Sequence, residues 1–305
     1  MILTSVRGGV RIDLFLAKEL TGISRARIQR LLTDGHITLN GEKIRPSYKL
    51  KEDDILEINI PEPKVSTVKP ENIPLDIIFE DEQIIVVNKS AGMVTHPAAG
   101  NWNGTLVGAL MGRGVGLSGI GGVTRPGIVH RLDKGTSGVI VAAKNDHSHA
   151  SLSNQIKKRE MERQYLAVVK GKIKVKTGEI NKNIGRSHFN RKKMAIMKDG
   201  GRVAITKYRV LQELDNATLL EVSLKTGRTH QIRVHMFSIR HPVIGDIVYG
   251  GSGLSRISRQ ALHAWKLKLI HPTTGKVKEF IAPLPTDMFE LIGELGGAPQ
   301  NMSNV

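Results

Sequence analysis

The stretch that decides how this chain is read is Gly127-Ile128-Val129-His130-Arg131-Leu132-Asp133-Lys134-Gly135-Thr136-Ser137-Gly138-Val139-Ile140-Val141-Ala142-Ala143. A short apolar edge leads into His130-Arg131-Leu132-Asp133. A turn of small residues follows, and Val139 to Ala143 is an apolar run of the length of a buried strand. The pattern puts one carboxylate, Asp133, between Arg131 and Lys134 on a turn that feeds the core. Two readings fit it: a salt-bridged turn aspartate, or a site carboxylate kept ionised by cations. Loops held by a rigid scaffold are where chemistry usually sits, so the rest of the chain has to choose.

Downstream of that stretch, strands follow one another with few crossover helices. His147 to Glu160 reads as a helix, Arg163 to Gly171 as a strand, and Val203–Leu211, Leu219–Leu224 and Leu262–Leu269 as further strands. Thr229 to Arg240 has helical periodicity, and Phe289 to Leu295 is a last short helix. Upstream, Ile77-Ile78-Phe79 and Ile84 to Asn88 read as a hairpin, and Gly112 to Gly122 as a mobile surface loop. The fold class expected is α+β, with a largely antiparallel mixed sheet.

Residues 11–60 form a small module of their own. Ile12, Phe15, Leu16 and Leu20 lie at helical spacing. Ser24 is placed to cap a second helix in which Ile28, Leu31 and Leu32 face inward and Arg25, Arg27 and Arg30 face solvent. Asn40-Gly41 is a hairpin turn, and Ile55 to Ile60 alternates as a half-buried strand. The three arginines lack an evident acidic partner, which favours phosphate contact over a merely solvated face. Residues 61–74 hold four prolines and read as a semi-rigid linker. The expected division is 1–60 module, 61–74 linker, 75–290 second, larger domain and 291–305 tail.

The 305 residues carry 45 Lys+Arg against 28 Asp+Glu, a net charge of +17 that points to a polyanionic partner, nucleic acid first. Arg191, Lys192 and Lys193 sit in a strongly basic segment, 185–202, read as a phosphate-contacting surface rather than a merely solvated loop. There are no cysteines, which removes disulfides, thiolate nucleophiles and cysteine zinc sites and fits a reducing cytoplasm. No leader peptide, membrane-spanning run or membrane role is expected. His230 and His235 are five apart, HExxH is absent, and no metal is expected. No GxSxG elbow and no phosphate-binding glycine loop is present. What remains is a carboxylate-centred site in a basic, RNA-suited chain, with Asp133 as its centre. Tyr165 and the segment Lys225 to His235 are the candidates to converge on it.

These segments carry a resemblance. Gly127–Lys144, Arg163–Gly171, Leu224–His235, His241–Gly250 and Ala261–His271 resemble, in order, the motifs of the RluA family of pseudouridine synthases. Residues 11–60 resemble the alpha-L RNA-binding module. That module, with Thr95-His96-Pro97-Ala98-Ala99-Gly100-Asn101, is similar to the RluD-type branch, whose substrate is a stem-loop of large-subunit ribosomal RNA. The resemblance implies a pseudouridine synthase fold and a cofactor-free isomerisation of uridine, on ribosomal RNA or a pre-ribosomal particle. It implies Asp133 as the catalytic aspartate, Arg233 as its pairing arginine, Tyr165 as the ring that stacks on the flipped base, and Arg131 as the wedge into the RNA. Ile232 becomes part of an apolar pocket wall, with Arg228 and His230 as further substrate contacts. Gly135 and Ser90 depart from the family pattern, which usually has Asp and Pro there. A monomer is expected. The rival expectation is a non-catalytic RNA-binding ribosome-assembly factor.

Overall fold

The computed structural model describes residues 2–4, 8–20, 23, 25–60, 68–98, 100–122, 124–187, 190, 193–251 and 257–298. The chain divides into two units, Met1–Val65 and Ser66–Val305.

In the first unit β1 (Ile2–Thr4), α1 (Ile12–Glu19), α2 (Arg25–Asp34), β2 (Ile37–Leu39), β3 (Glu42–Lys43) and β4 (Ile55–Ile58) follow in order, and the strands pair antiparallel as β1-β4-β2-β3. The helix-spaced Ile12, Leu16, Ile28 and Leu32 meet the alternating Ile37 and Leu56 in one fully buried core. The tight turn between β2 and β3 needs two residues at positive φ, and Asn40 (49°) and Gly41 (82°) supply them.

One premise is overturned here. Arg25 does have an acidic partner: its Nε and Nη2 donate to Asp13 at 3.0 and 2.8 Å, and Arg11 and Gln29 donate to the same carboxylate. Burial opposes the charge on Asp13, but these donors win and hold its pKa well below the ordinary carboxylate range. The pair locks α2 onto α1, so Arg25 is a structural residue first. Arg30 is exposed. Ser24 and the side chain of Arg27 lie outside the described residues.

The second unit contains β5 (Asp76–Glu80), β6 (Ile84–Lys89), α3 (Leu106–Gly112), β7 (Ser137–Ala143), α4 (Asp146–Lys158), β8 (Glu162–Lys170), β9 (Thr177–Asn181), β10 (Ile184–Arg186), β11 (Met194–Ile196), β12 (Ile205–Leu214), β13 (Ala217–Leu224), α5 (Gln231–Ser238), β14 (Leu262–Ile270), β15 (Val277–Ile281) and α6 (Thr286–Glu294). A nine-stranded sheet runs β5-β6-β7-β14-β8-β13-β12-β9, with β15 on β14. Its pairings are antiparallel except β7 with β14, which touch at Ser137–His263 and Gly138–Ala264 before β15 takes over that edge of β14. This is the α+β, largely antiparallel mixed sheet expected.

The residues of β7 are buried on both faces, which is why Val139 to Ala143 reads as a continuous apolar run rather than an alternation. Gly138 at its start has φ 112°, and a Cβ there would lie 2.1 Å from the Ala264 carbonyl oxygen. Only glycine lets the two strands close at this point.

Three expectations change, and the basic segment gains a definite form. Within the stretch read as a linker, Val68 is buried, and the Glu71 carboxylate accepts from Gly104 N at 2.8 Å while Glu71 N donates to the Gly108 carbonyl. Residues 68–74 therefore belong to the sheet unit, and 61–67 lie outside the described residues. The glycine-rich loop is pinned near its end, because Ser118 is buried and exchanges backbone bonds with Ala143 and Gly127. The basic segment is not a plain loop: β10 and β11 make a hairpin of it. The tail does not begin at 291, since Leu291, Ile292 and Leu295 continue the apolar face of α6 into the core. Among the described residues no helix is long and apolar enough to cross a membrane.

Candidate active site

Asp133 stands on the turn before β7, with its side chain 16% exposed. Its neighbours alternate: Arg131 and Lys134 are exposed, while Leu132 is buried. The turn is clamped from the loop after β6. Thr95 Oγ1, itself buried, donates to the Leu132 carbonyl at 2.9 Å and accepts from Leu132 N at 3.2 Å. Gly92 N donates to the Lys134 carbonyl at 2.8 Å. Arg259 Nη1 donates to the Gly135 carbonyl at 3.1 Å, while its other two nitrogens hold Asp287 on α6 at 2.6 and 2.7 Å.

Arg233 is brought to Asp133 from α5. Its Nη1 donates to Asp133 Oδ2 at 3.0 Å, and its Nε and Nη2 donate to the two oxygens of Asp246 at 2.6 and 2.9 Å. The Tyr249 ring lies under the guanidinium, 5.1 Å from ring centre to Cζ. A fork held bidentately on one carboxylate and stacked on a ring has one nitrogen left to aim. Burial opposes its charge, but the hydrogen bonds of Asp246 and the charge of Asp133 raise its pKa above the ordinary arginine value. A surface arginine, the commoner fate of that residue type, is not what the fold makes of Arg233.

His230 precedes α5 in a left-handed conformation, φ 55°. Its Nε2 is 3.8 Å from Asp133 Oδ2, and its Nδ1 is hydrogen-bonded to the Tyr249 hydroxyl at 3.0 Å. Burial outweighs the nearby carboxylate and pushes its pKa below the ordinary value, so at neutral pH the ring is an uncharged neighbour of Asp133. Tyr165 projects from β8 and is buried. Burial and the charge of Asp133 push its hydroxyl pKa up against the pull of Arg163, which keeps the ring neutral. Ile232 is buried in the same apolar cluster as Tyr165.

Other residues that the sequence singled out make contacts of their own. Arg228 spends its Nε on the Val203 carbonyl at 3.0 Å. His130 accepts from Val141 N at 3.2 Å, and burial drops its pKa to about 3, so it is a neutral strut of β7. Lys193 is half-buried at the β10–β11 turn. Arg191 and Lys192 lie outside the described residues.

The spacing of the sequence missed several members. Lys89, the last residue of β6, is fully buried and donates its Nζ to the carbonyls of Ser90 and Met93, both at 2.8 Å. Burial lowers its pKa to about 7, with the Asp133 carboxylate pulling the other way. It thus props the clamping loop from beneath; its signal is a lysine that closes an otherwise apolar strand. Asp246 and Tyr249 lie in a segment flagged by resemblance alone. Nothing local announces a carboxylate thirteen residues from the arginine it clamps.

The family model described as RNA pseudouridylate synthase matches residues 83–238, and the S4 domain model matches 10–56. A protein of Zymomonas mobilis named ribosomal large subunit pseudouridine synthase D is 47% identical over 298 residues, covering 94% of each chain. A Bacillus subtilis protein named uncharacterized RNA pseudouridine synthase YlyB is 47% identical over 285 residues, covering 93% of this chain and 94% of its own. The solved structure of human RNA pseudouridylate synthase domain containing 1 superposes with a TM-score of 0.56 at 27% identity, covering 75% of this chain and 97% of that one. The chain belongs to the RNA pseudouridylate synthase family. It is an RNA pseudouridine synthase of the RluA type, and its S4 domain is the RNA-binding module that residues 11–60 resemble.

Proposed function

We propose that this enzyme isomerises uridines of large-subunit ribosomal RNA, free or in a pre-ribosomal particle, acting in the cytoplasm as a monomer and with Asp133 as the reacting carboxylate. The carrying observation is the Asp133–Arg233 pair, with Arg233 clamped on Asp246, at the centre of a chain similar to a large-subunit enzyme along nearly its whole length.

Isomerisation breaks the N1–C1′ bond, turns the uracil and joins C5 to C1′. N1 gains a proton and C5 loses one, so the product has the composition of the substrate and no redox partner is required. Asp133 serves this by attacking C1′ or C6, or by taking a proton from C2′. Each route starts from the carboxylate. Arg233 positions that carboxylate and matches its charge without drifting, since two of its nitrogens are engaged elsewhere. Tyr165 stacks on the extruded uracil, Ile232 backs the apolar wall, and the exposed Arg131 fills the gap in the RNA stack. Extrusion costs a few kcal/mol and is least costly in a loop. Arg228 and His230 line the approach. Arg30 and the basic residues Arg27, Arg191, Lys192 and Lys193 serve as phosphate contacts, with Arg25 contributing through its exposed edge.

The test is Asp133→Asn, which keeps size and removes the charge. Pseudouridine formation on an unmodified large-subunit transcript is expected to vanish, while RNA affinity stays within a few-fold. Retained activity would remove Asp133 from the chemistry. Deleting residues 1–65 is expected to weaken RNA binding and flatten its salt dependence more than it slows single-turnover chemistry. Unchanged affinity would exclude the S4 domain from substrate capture.

A further inference from the structure

Arg163 takes no part in the site described above, and its surroundings are costly for a charge. It is 7% exposed, and its Nε is buried without a hydrogen-bond partner among the described residues. Among the described residues no carboxylate pairs with it. Its neighbours His130 and Tyr165 are both held neutral by burial. Burial pushes its own pKa down, yet an arginine does not give up its proton in a protein. A buried cation without a counter-ion is strongly unfavourable. Such violations of the folding rules concentrate where a ligand supplies what the protein withholds.

The position points to that ligand. Arg163 and Tyr165 are two apart on β8 and share a face of the strand. The guanidinium comes up beneath Gly227, where an added Cβ would lie 2.8 Å from its Nη1. Gly227 is exposed, and Lys225 and Arg228 flank it. The glycine has ordinary φ, so its bare backbone serves space rather than conformation: a side chain there would crowd Nη1. A planar fork whose Nε has no partner among the described residues, lying beneath bare backbone between two further cations, suits the two non-bridging oxygens of a phosphodiester.

We propose that Arg163 binds a backbone phosphodiester of the RNA, entering over Gly227, as the counter-ion that the described residues do not provide. The inference rests on the RNA substrate read above. It adds a phosphate subsite beside the ring assigned to the flipped base.

The test uses the full chain and a stem-loop transcript of large-subunit ribosomal RNA. Arg163→Met is expected to lower RNA affinity about tenfold at low salt. It should also make the plot of log K against log salt shallower by about 0.7 to 0.9, the loss of one phosphate contact. Arg163→Lys should keep the slope. Because removal of an unpaired buried charge relieves the fold, the Tm of Arg163→Met should equal or exceed that of the parent. Inorganic phosphate should raise the Tm of the parent and not of the variant. A folded Arg163→Met with an unchanged salt slope would overturn the proposal. So would a lower Tm or failure to fold, which would make Arg163 a packing residue. Gly227→Ala, which crowds Nη1, should reproduce the loss of slope. Product formation by the parent on the same transcript is read separately, so a wrong substrate shows as missing pseudouridine while the salt slope still reports on Arg163.

Discussion

Asp133 and Lys89 show how far a residue's type falls short of its role. An aspartate between two bases reads as a turn salt bridge, yet Arg131 is exposed, Lys134 donates to Asn101 at 2.9 Å, and the partner of Asp133 comes from a helix a hundred residues away. Lys89, unremarkable in sequence, is driven into the core with a pKa near 7. The unfolded chain keeps that proton until about pH 10.4, whereas the folded chain releases it from about pH 7. Between those values the unfolded state binds more protons, so this residue makes stability rise with pH, at most by about 1.4 kcal/mol per unit. In chemical denaturation at pH 7, 8 and 9, Lys89→Met is expected to lose this rise. An identical pH slope in parent and variant would show that Lys89 is not the titrating group. The two departures from family pattern also resolve at this scale. At Gly135 a Cβ would stand 2.5 Å from Gln260 Oε1, so the glycine makes room for that side chain. Ser90 offers its carbonyl to Lys89, a contact that any residue type supplies.

Elements were largely legible where local pattern carries the information. The hairpin of β5 and β6, the helices α4 and α5, and the paired strands β12 and β13 lie where alternation or helical spacing put them. The errors arose where a tertiary contact overrode local composition. Proline-rich 68–74 looks like linker until Glu71 is seen to bind the turn before α3, and the glycines of 112–122 look loose until Ser118 is tied to β7. Gly138 makes the strongest element-scale prediction. Its φ is closed to side chains, and the Ala264 backbone fills the space of a Cβ. Gly138→Ala is expected to lose at least about 2 kcal/mol of stability in denaturant unfolding and to displace the Asp133 turn, with loss of activity. A variant as stable as the parent would mean that β7 and β14 can separate freely.

At the scale of the molecule, the sheet unit hides a set of imidazoles. His96, His130, His149, His230, His235 and His263 all have pKa values below the ordinary histidine value, mainly through burial, with His130 at about 3 and His263 at about 4. A histidine buried neutral resists a proton that the unfolded chain accepts below about pH 6.5. The stability it leaves intact above that pH is lost as pH falls from about 6.5 toward 4. A Tm series from pH 7.5 to 5, above the range in which carboxylates titrate, is expected to fall steadily. A flat series would contradict the burial of these rings. Arg259 shows the other long-range dependence, since it joins Asp287 of α6 to the Gly135 carbonyl, and so lets the last helix of the described chain brace the turn that bears Asp133.

By itself the sequence determined the class of fold, the separate N-terminal module and a charge balance suited to a polyanion, and it singled out Asp133 as the candidate carboxylate. The first three follow from local periodicity and net charge, the last from motifs that resemble those of a family. Only the tertiary structure decided what surrounds that carboxylate. Arg233 becomes a fixed donor because Asp246 and Tyr249 hold it, Lys89 becomes a buried prop, Arg25 turns inward to Asp13, and Arg163 is left charged without a carboxylate partner among the described residues. The physical reason is common to all four: burial and ion pairing are properties of contacts between distant segments, and no spacing within one segment encodes them.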